Sequence, residues 1–350
     1  MSARWLRRGR YPAARMRIFS GIQPTGRKHL GNYIGGIVQY VAGQDRGEAI
    51  YCIVDLHALT VEFDPAELRE RTYDTAAILL AAGLDPARCI LFRQSDVLEH
   101  SELAWLLGSV TSYGDLQRMT QFKDKAPKQR ALVSAGLFFY PVLMAADVLA
   151  YRADEVPVGE DQRQHLELMR EIARTFNARF GDTLVMPEAC IPEVGARIMD
   201  LQDPTSKMST TAGSEEGTVY VLDEPERIER KFKRAVTDSG EGVRRSPDKP
   251  GITNLIDILA VVRGVGPSEI EAEFADARYG EFKSEVAAAV VGYLAPTRER
   301  YAELRPDVER LESILHDGAE RARALASETL ADVREAMGVG PSGRGVGTPR

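Results

Sequence analysis

Residues 18–40, IFSGIQPTGRKHLGNYIGGIVQY, constrain the fold of this chain more than any other stretch. A short apolar strand enters a turn-rich loop carrying Gly21, Pro24 and Gly26, and His29-Leu30-Gly31-Asn32 then opens an apolar helix. A strand that feeds such a loop and then a helix N-terminus gathers unpaired N–H groups and a partial positive charge at one point, where anions bind. Gly31 lets a phosphate approach with no Cβ in the way, and Asn32 and His29 add neutral donors. An ordinary strand-to-helix turn, with Asn32 as a cap and His29 on the surface, accounts for the same residues. The rest of the chain has to decide between them.

The pattern that follows alternates strands with helices. Residues 49–54 are a continuous apolar run ending in Asp55-Leu56-His57, the signature of a buried parallel strand. Asp64-Pro65-Ala66-Glu67 supplies a helix cap, a proline in the first turn and a glutamate three residues after the cap; the apolar face reaches Ala82 and Gly83 ends it. A strand is expected at 89–92, helices at 101–107 and 115–122, and a helix at 135–151 that Pro141 kinks. Val156-Pro157-Val158 leads into Gly159-Glu160-Asp161-Gln162 and a helix to Phe180 that Gly181 stops. The class is therefore α/β, a doubly wound parallel sheet covered on both faces. Its ligands bind beyond the strands' carboxyl ends, where the opening loop, Asp55 and the Gly159 loop converge.

From Asp223 onward the character changes to helix after helix, at 225–236, 254–262, 267–274, 281–294 and 306–337. With 350 residues the chain suits two domains, and these helices read as the second. The junction, LQDPTSKMSTTAG at 201–213, is polar, short of apolar anchors and flanked by Pro204 and Gly213, so it is expected as a flexible surface loop. A lysine among hydroxyls there can grip a polyphosphate, although a plain linker has the same composition. Residues 1–15 are expected as a disordered Arg-rich leader, either a transit peptide or a mis-assigned start, since Met16 immediately precedes the first strand. Residues 339–350 are expected as a mobile tail.

Composition narrows the partners. A formal charge of −7 gives no general attraction for polyanions, so any nucleic-acid contact needs a local basic surface. Arg227, Arg230, Lys231, Lys233 and Arg234, then Arg244, Arg245 and Lys249, offer one, although Glu226–Arg230 and Glu229–Lys233 also have the spacing of helix ion pairs on a solvated face. Apolar runs fall short of a membrane span, and three dispersed cysteines, Cys52, Cys89 and Cys190, without zinc spacing suit a reducing cytoplasm.

His29-Leu30-Gly31-Asn32, with Lys207-Met208-Ser209-Thr210-Thr211 far downstream, resembles the paired HIGH and KMSKS motifs of class I aminoacyl-tRNA synthetases. Three further stretches narrow the resemblance: Phe19 through Gly26 (FSGIQPTG), Pro141 through Asp147 (PVLMAAD) and Val156 through Gln162 (VPVGEDQ) are similar to the bacterial-type tryptophanyl-tRNA synthetases. The resemblance implies a Rossmann-type catalytic domain over 16–205, a mobile KMSKS-type loop over 206–213 and a helical tRNA anticodon-binding domain over 214–338. It also implies a reaction. The tryptophan carboxylate attacks the α-phosphate of ATP, pyrophosphate leaves, and the aminoacyl group passes to the terminal adenosine of tRNA(Trp). Neither step needs a protein nucleophile, so the work is positioning and charge neutralisation.

By the family's pattern the catalytic residues would be Lys207, Lys125, His29, Asn32 and Thr25. ATP would lie against Gln23, Pro24, Thr25, His29, Gly31 and Asn32, with Gly159, Glu160 and Asp161 on its ribose side and Ile198 at the adenine. Lys207, Met208, Ser209, Thr210 and Thr211 would close on the phosphates, Mg²⁺ arriving on ATP rather than on a protein site. Asp147, a carboxylate in an apolar helical stretch that is costly to bury alone, would accept the indole N–H and be satisfied by the substrate, although a salt bridge or a solvent-facing side of the helix accounts for it as well. Tyr140 and Gln162 would meet the ammonium, and Phe19, Gly21, Met144, Val156 and Val158 would pack the indole, although from the residues alone core packing is the better account of the aromatic and Met positions. His57, at a strand's carboxyl end, is either part of this site or a satisfied core histidine. The family acts as a homodimer in the cytoplasm. The chain departs from the pattern at Thr210, where KMSKS has its second lysine, which leaves Lys207 and Lys125 more of the pyrophosphate's charge. A tyrosine-specific relative, a small-molecule adenylyltransferase and a non-catalytic paralogue that binds tRNA or tryptophan are the competing readings.

Overall fold

The computed structural model describes residues 16–119, 134–159, 162–190, 197–209, 213–240 and 242–341. Lys125, Glu160, Asp161, Thr210 and Thr211, the leader 1–15 and the tail beyond 341 lie outside them.

Five strands, β1 (Arg17–Ile22), β2 (Glu48–Ile53), β3 (Cys89–Arg93), β4 (Glu155–Pro157) and β5 (Glu188–Cys190), form one sheet in the order β3-β2-β1-β4-β5. Every pairing is parallel, with Phe19 beside Ile50, Ile50 beside Ile90 and Val156 beside Ala189. The expected doubly wound class is what forms. The chain winds outward from β1 in both directions, so the switch point, and the crevice it creates, lies between β1 and β4. Alternate residues explain the continuous apolar runs: Ala49, Tyr51, Ile53, Cys89 and Leu91 enter one core, and Ile50, Cys52, Val54, Ile90 and Phe92 enter the other.

Most helices stand where their caps and stops place them. Asp64 caps Pro65–Ala81 by accepting from the Glu67 N–H, and Gly83 follows at φ +117°. Arg163–Phe180 ends at Gly181, also in the left-handed half of the map. Ala135–Leu149 carries Pro141 in its interior. In the later helical region Pro225–Lys233, Pro250–Arg263 and Pro267–Glu273 match in place, whereas the helix expected at 281–294 runs Tyr279–Leu304 and passes straight through Pro296.

The last helix, Val308–Met337, does not stay with the helical region. Leu311 and Leu315 enter the first core, while Ala319, Ala322, Ala326, Leu330 and Val333 enter the second, so this helix crosses the β3 edge of the sheet. Gly318 makes the crossing. A Cβ there would lie 1.9 Å from the Leu91 carbonyl oxygen. Arg321 donates to the Pro86 and Cys89 carbonyls at 2.8 and 3.1 Å, occupying the exposed edge of β3. Gly318→Ala is therefore expected to lower stability in urea by about 1–3 kcal/mol or more, because backbone on both sides has to give.

Candidate active site

The β1-to-helix turn, where the sequence leads one to expect an anion seat, is held by a reciprocal cap. His29 caps the first turn (Leu30–Asn32): its Nδ1 accepts from the Asn32 N–H at 3.2 Å and its own N–H donates to Asn32 Oδ1 at 3.2 Å. A π-helical turn, Tyr33–Ile37, follows before Val38–Gly43, a geometry common where a helix bends to admit a ligand. Asn32 is thus the reciprocal partner of the cap rather than the cap. His29 pairs with Tyr220 in an antiparallel bridge, and Leu30 N–H donates to the Val219 carbonyl at 2.8 Å, which ties the seat to the chain just beyond the Lys207 loop.

Lys207 bridges Met199, and Met208 N–H donates to the Ile198 carbonyl at 3.0 Å. Ile198 itself lies against Gly31, its Cβ 3.6 Å from where a Gly31 side chain would begin. The loop expected to be short of apolar anchors has two: Leu201 and Met208 are both buried, and Met208 holds exposed Lys207 beside the seat. The two distant loops do meet. Burial lowers the His29 imidazole to about 4, with help from the nearby charges of Lys207 and Lys28, so it is neutral at physiological pH. A histidine lowered by folding charges more readily when unfolded, so stability falls as the pH drops from about 6.5 to about 4, by about 3 kcal/mol. Urea titrations across that window are expected to show the loss in the natural chain and not in His29→Asn, which keeps a neutral cap.

Beside the seat, a cavity of about 500 Å³ opens at the carboxyl ends of β1 and β4. Phe19, Gly21, His57, Tyr140, Met144, Asp147, Val156, Val158 and Gln162 all line it, as do Gln23 and Gly159. Pro24, Thr25, His29, Gly31, Asn32, Ile198, Lys207, Met208 and Ser209 belong instead to the seat and to the segments packed on it. Lys125, Glu160, Asp161, Thr210 and Thr211 fall outside the described residues.

Asp147 corrects one expectation. Its buried carboxylate does not wait for a substrate to satisfy it: Oδ1 accepts from Gln94 Nε2 and His100 Nδ1, both at 2.6 Å, and Oδ2 meets His57 Nε2 at 2.7 Å. Nε2 of His100 meets the Tyr151 hydroxyl at 2.7 Å. Burial by itself pushes the Asp147 carboxyl up, but the charge and hydrogen bonds of His57 and His100 outweigh it and hold the group below the ordinary carboxylate range. It stays an anion throughout the physiological range. His57 is thus a satisfied core histidine that also faces the cavity.

Sequence reasoning found the carboxylate and missed its shell. Gln94 sits just past β3, at a strand end that could have signalled it; His100 and Tyr151 carry no local mark. The Tyr140 hydroxyl meets His165 Nε2 at 2.7 Å, and burial pushes it up to about 12. Of the basic cluster, Lys231 and Lys249 face inward, Lys231 donating to the Thr218 carbonyl and Asp223 at 2.5 and 2.6 Å, so the outward charge is Arg227, Arg230, Lys233, Arg234, Arg244 and Arg245. Among the described residues no group of three His, Cys, Asp or Glu side chains could hold a metal, and no helix is long and apolar enough to cross a membrane.

A donor-lined seat for an anion beside an apolar, carboxylate-floored cavity suits a phosphate-bearing group and a flat ligand with an N–H. The family model for class I tRNA synthetases (W and Y) matches residues 12–295. The chain is 50% identical over 331 residues to tryptophan–tRNA ligase 2 of Streptomyces avermitilis, covering 94% of this chain and 98% of that one. Its fold is similar to the crystal structure of tryptophanyl-tRNA synthetase from Mycoplasma pneumoniae, with a TM-score of 0.87 and 36% identity over 93% of this chain and 98% of that one. A tryptophanyl-tRNA synthetase from Campylobacter jejuni, complexed with ADP and tryptophan, matches at TM-score 0.79 and 34% identity over 93% of this chain and 100% of that one.

Proposed function

The chain belongs to the class I tRNA synthetases of the W and Y group, on its bacterial tryptophan branch, and from that premise we propose how its residues divide the reaction. It activates L-tryptophan with ATP to the adenylate and charges tRNA(Trp). The observation that carries the division of labour is the adjacency of the two halves: the Asp147 cavity opens at the strand ends beside the His29 seat, and the Lys207 loop packs against that seat.

Tryptophan lies in the cavity with its ring between Phe19, Gly21, Met144, Val156 and Val158, and its N–H on Asp147. Oδ1 already takes two donors, so the free direction is on Oδ2, which holds only His57. Tyr140 and Gln162 face the ammonium. That places the carboxylate toward Gln23 and Gly159, where ATP enters. Gln23, Pro24, Thr25, Gly31 and Asn32 receive its phosphates, with neutral His29 shaping the turn, and Gly159, Glu160 and Asp161 hold the ribose side. Ile198 backs the adenine. Lys207 supplies charge to the departing pyrophosphate, joined by Lys125, Ser209, Thr210 and Thr211, while Met208 serves as the loop's anchor. Mg²⁺ enters bound to ATP.

The helical region between Asp223 and Leu304 presents the outward arginines to the tRNA anticodon arm. Leu98, Trp105 and Tyr113 are strongly exposed apolar side chains on neighbouring helices and suit a twofold dimer. A cytoplasmic setting fits the free cysteines. The decisive assay is exchange of labelled pyrophosphate into ATP: tryptophan is expected to support it and tyrosine not. Exchange with tyrosine alone would select the tyrosine branch, and binding of tryptophan without exchange would select a non-catalytic paralogue.

A further inference from the structure

Lys28, immediately before the His29 cap, is one of three buried lysines among the described residues, at 7% exposure. Its ammonium donates to the Gln23 carbonyl at 2.6 Å and reaches the Thr25 carbonyl at 3.4 Å; no carboxylate among the described residues bonds it. Its own carbonyl accepts from the Val221 N–H at 2.9 Å, beside the His29–Tyr220 bridge. One residue therefore joins the 23–25 turn through its side chain to the 219–221 segment through its backbone. Burying a cation there is costly, and an apolar side chain would fill the same space without that cost. Holding the turn is what the ammonium does that an apolar side chain would not.

We propose that Lys28 is a positioning residue for ATP: it fixes the 23–25 turn against the segment beyond the Lys207 loop and so sets the gap that the phosphates enter. This rests on the ATP-binding reading of that turn. Lys28 touches no substrate. Its effect falls mainly on the nucleotide half of the site: neither Lys28 nor Thr25 lines the Asp147 cavity, and Gln23, which does, is held through its backbone carbonyl.

The clamp is sensitive to pH. Burial, then the repulsion of Arg71, lowers Lys28 to about 8, with Asp74 opposing them. Arg71 and Asp74 face it from the Pro65–Ala81 helix, Arg27 from its own turn, and Asp223, Tyr220 and Tyr301 across a cavity of about 230 Å³. Tyr301 is pushed up to about 12 and His29 down to about 4, so neither titrates near 8. A neutral amine still donates, but without charge assistance its bonds to the two carbonyls are weaker. The 23–25 turn loosens as the pH passes through 8. Stability moves the other way, because a lysine lowered by folding sheds a buried charge between about 8 and 10.5 and the fold gains. Weakened ATP binding at high pH is thus separable from unfolding.

The test is tryptophan-dependent pyrophosphate exchange at saturating tryptophan from pH 6.5 to 9.5, on the full chain and on Lys28→Met, which keeps the stem and loses the charge. The natural chain is expected to raise KM for ATP about 3- to 10-fold across pH 8, and Lys28→Met to start about 10-fold higher at pH 7 and lack that step. KM for tryptophan is expected to stay within about twofold. Titrations of ATP and tryptophan themselves are common to both proteins and cancel. A folded Lys28→Met with the natural KM for ATP and the natural step overturns the proposal. Where that variant does not fold, Arg71→Gln, at a half-buried position of its helix, carries the test: removing the repelling cation is expected to move the step to higher pH, and an unmoved step overturns the proposal. Absence of exchange by the natural chain overturns the functional reading itself, and this one with it.

Discussion

Lys207→Ala is expected to slow tryptophan activation about 10²- to 10³-fold, the cost of removing one preorganised charge from a transition state. Lys207 is exposed and its loop is held by Met208 and by the Met208–Ile198 backbone bond, so the truncation leaves the fold alone. KM for tryptophan should barely change, because the Asp147 cavity is lined by other residues. The effect should be larger than in a chain with two lysines in this loop, since Thr210 stands where the second would be. Thr210→Lys is expected to recover part of the lost rate in the Lys207→Ala background. Single-turnover formation of the adenylate reads both. A rate within a factor of a few of the natural chain would remove Lys207 from the phosphates.

The strand–turn–helix start at 18–40 was legible because it is local. A strand, two glycines, a proline and a His-x-Gly-Asn cap within one short stretch specify a turn and a helix start, and turn chemistry is decided by neighbours in sequence. The parallel sheet was legible for a related reason, since strands buried on both faces write continuous apolar runs. What escaped were features made by distance. Gln94, His100 and Tyr151 reach Asp147 from separate elements, and nothing near any of them announces a shared carboxylate. Met208 looked like one apolar residue in a polar loop, yet, buried with Leu201, it helps seat that loop. A helix was expected at 306–337 and forms as Val308–Met337, but helical spacing does not say against what it packs; Gly318 lets it pass β3 closely, from one core to the other.

Asp147→Asn tests the other half of the site, and the shell around the carboxylate sets its size. Oδ1 accepts from two donors and Oδ2 from one, so an amide in either orientation turns an N–H₂ toward a histidine or glutamine N–H. In one orientation it also opposes the indole N–H. Loss of a charged acceptor from a site built to read an N–H is worth on the order of 10³- to 10⁴-fold in kcat/KM for tryptophan. KM for ATP should be nearly untouched. The natural chain should reject a benzothiophene analogue of tryptophan, which lacks the N–H, by a similar factor, and Asp147→Asn should no longer distinguish the two. Stability supplies an internal control with a defined sign. The folded carboxyl lies below its ordinary value of 3.8, so its contribution is present above about pH 4 and is lost as the pH falls below it. Asp147→Asn should therefore be less stable than the natural chain at neutral pH, with the difference shrinking only in acid. A folded Asp147→Asn that kept kcat/KM for tryptophan within tenfold, or kept its preference over the benzothiophene, would place the indole N–H elsewhere and leave Asp147 as the core's anchor for His57 and His100.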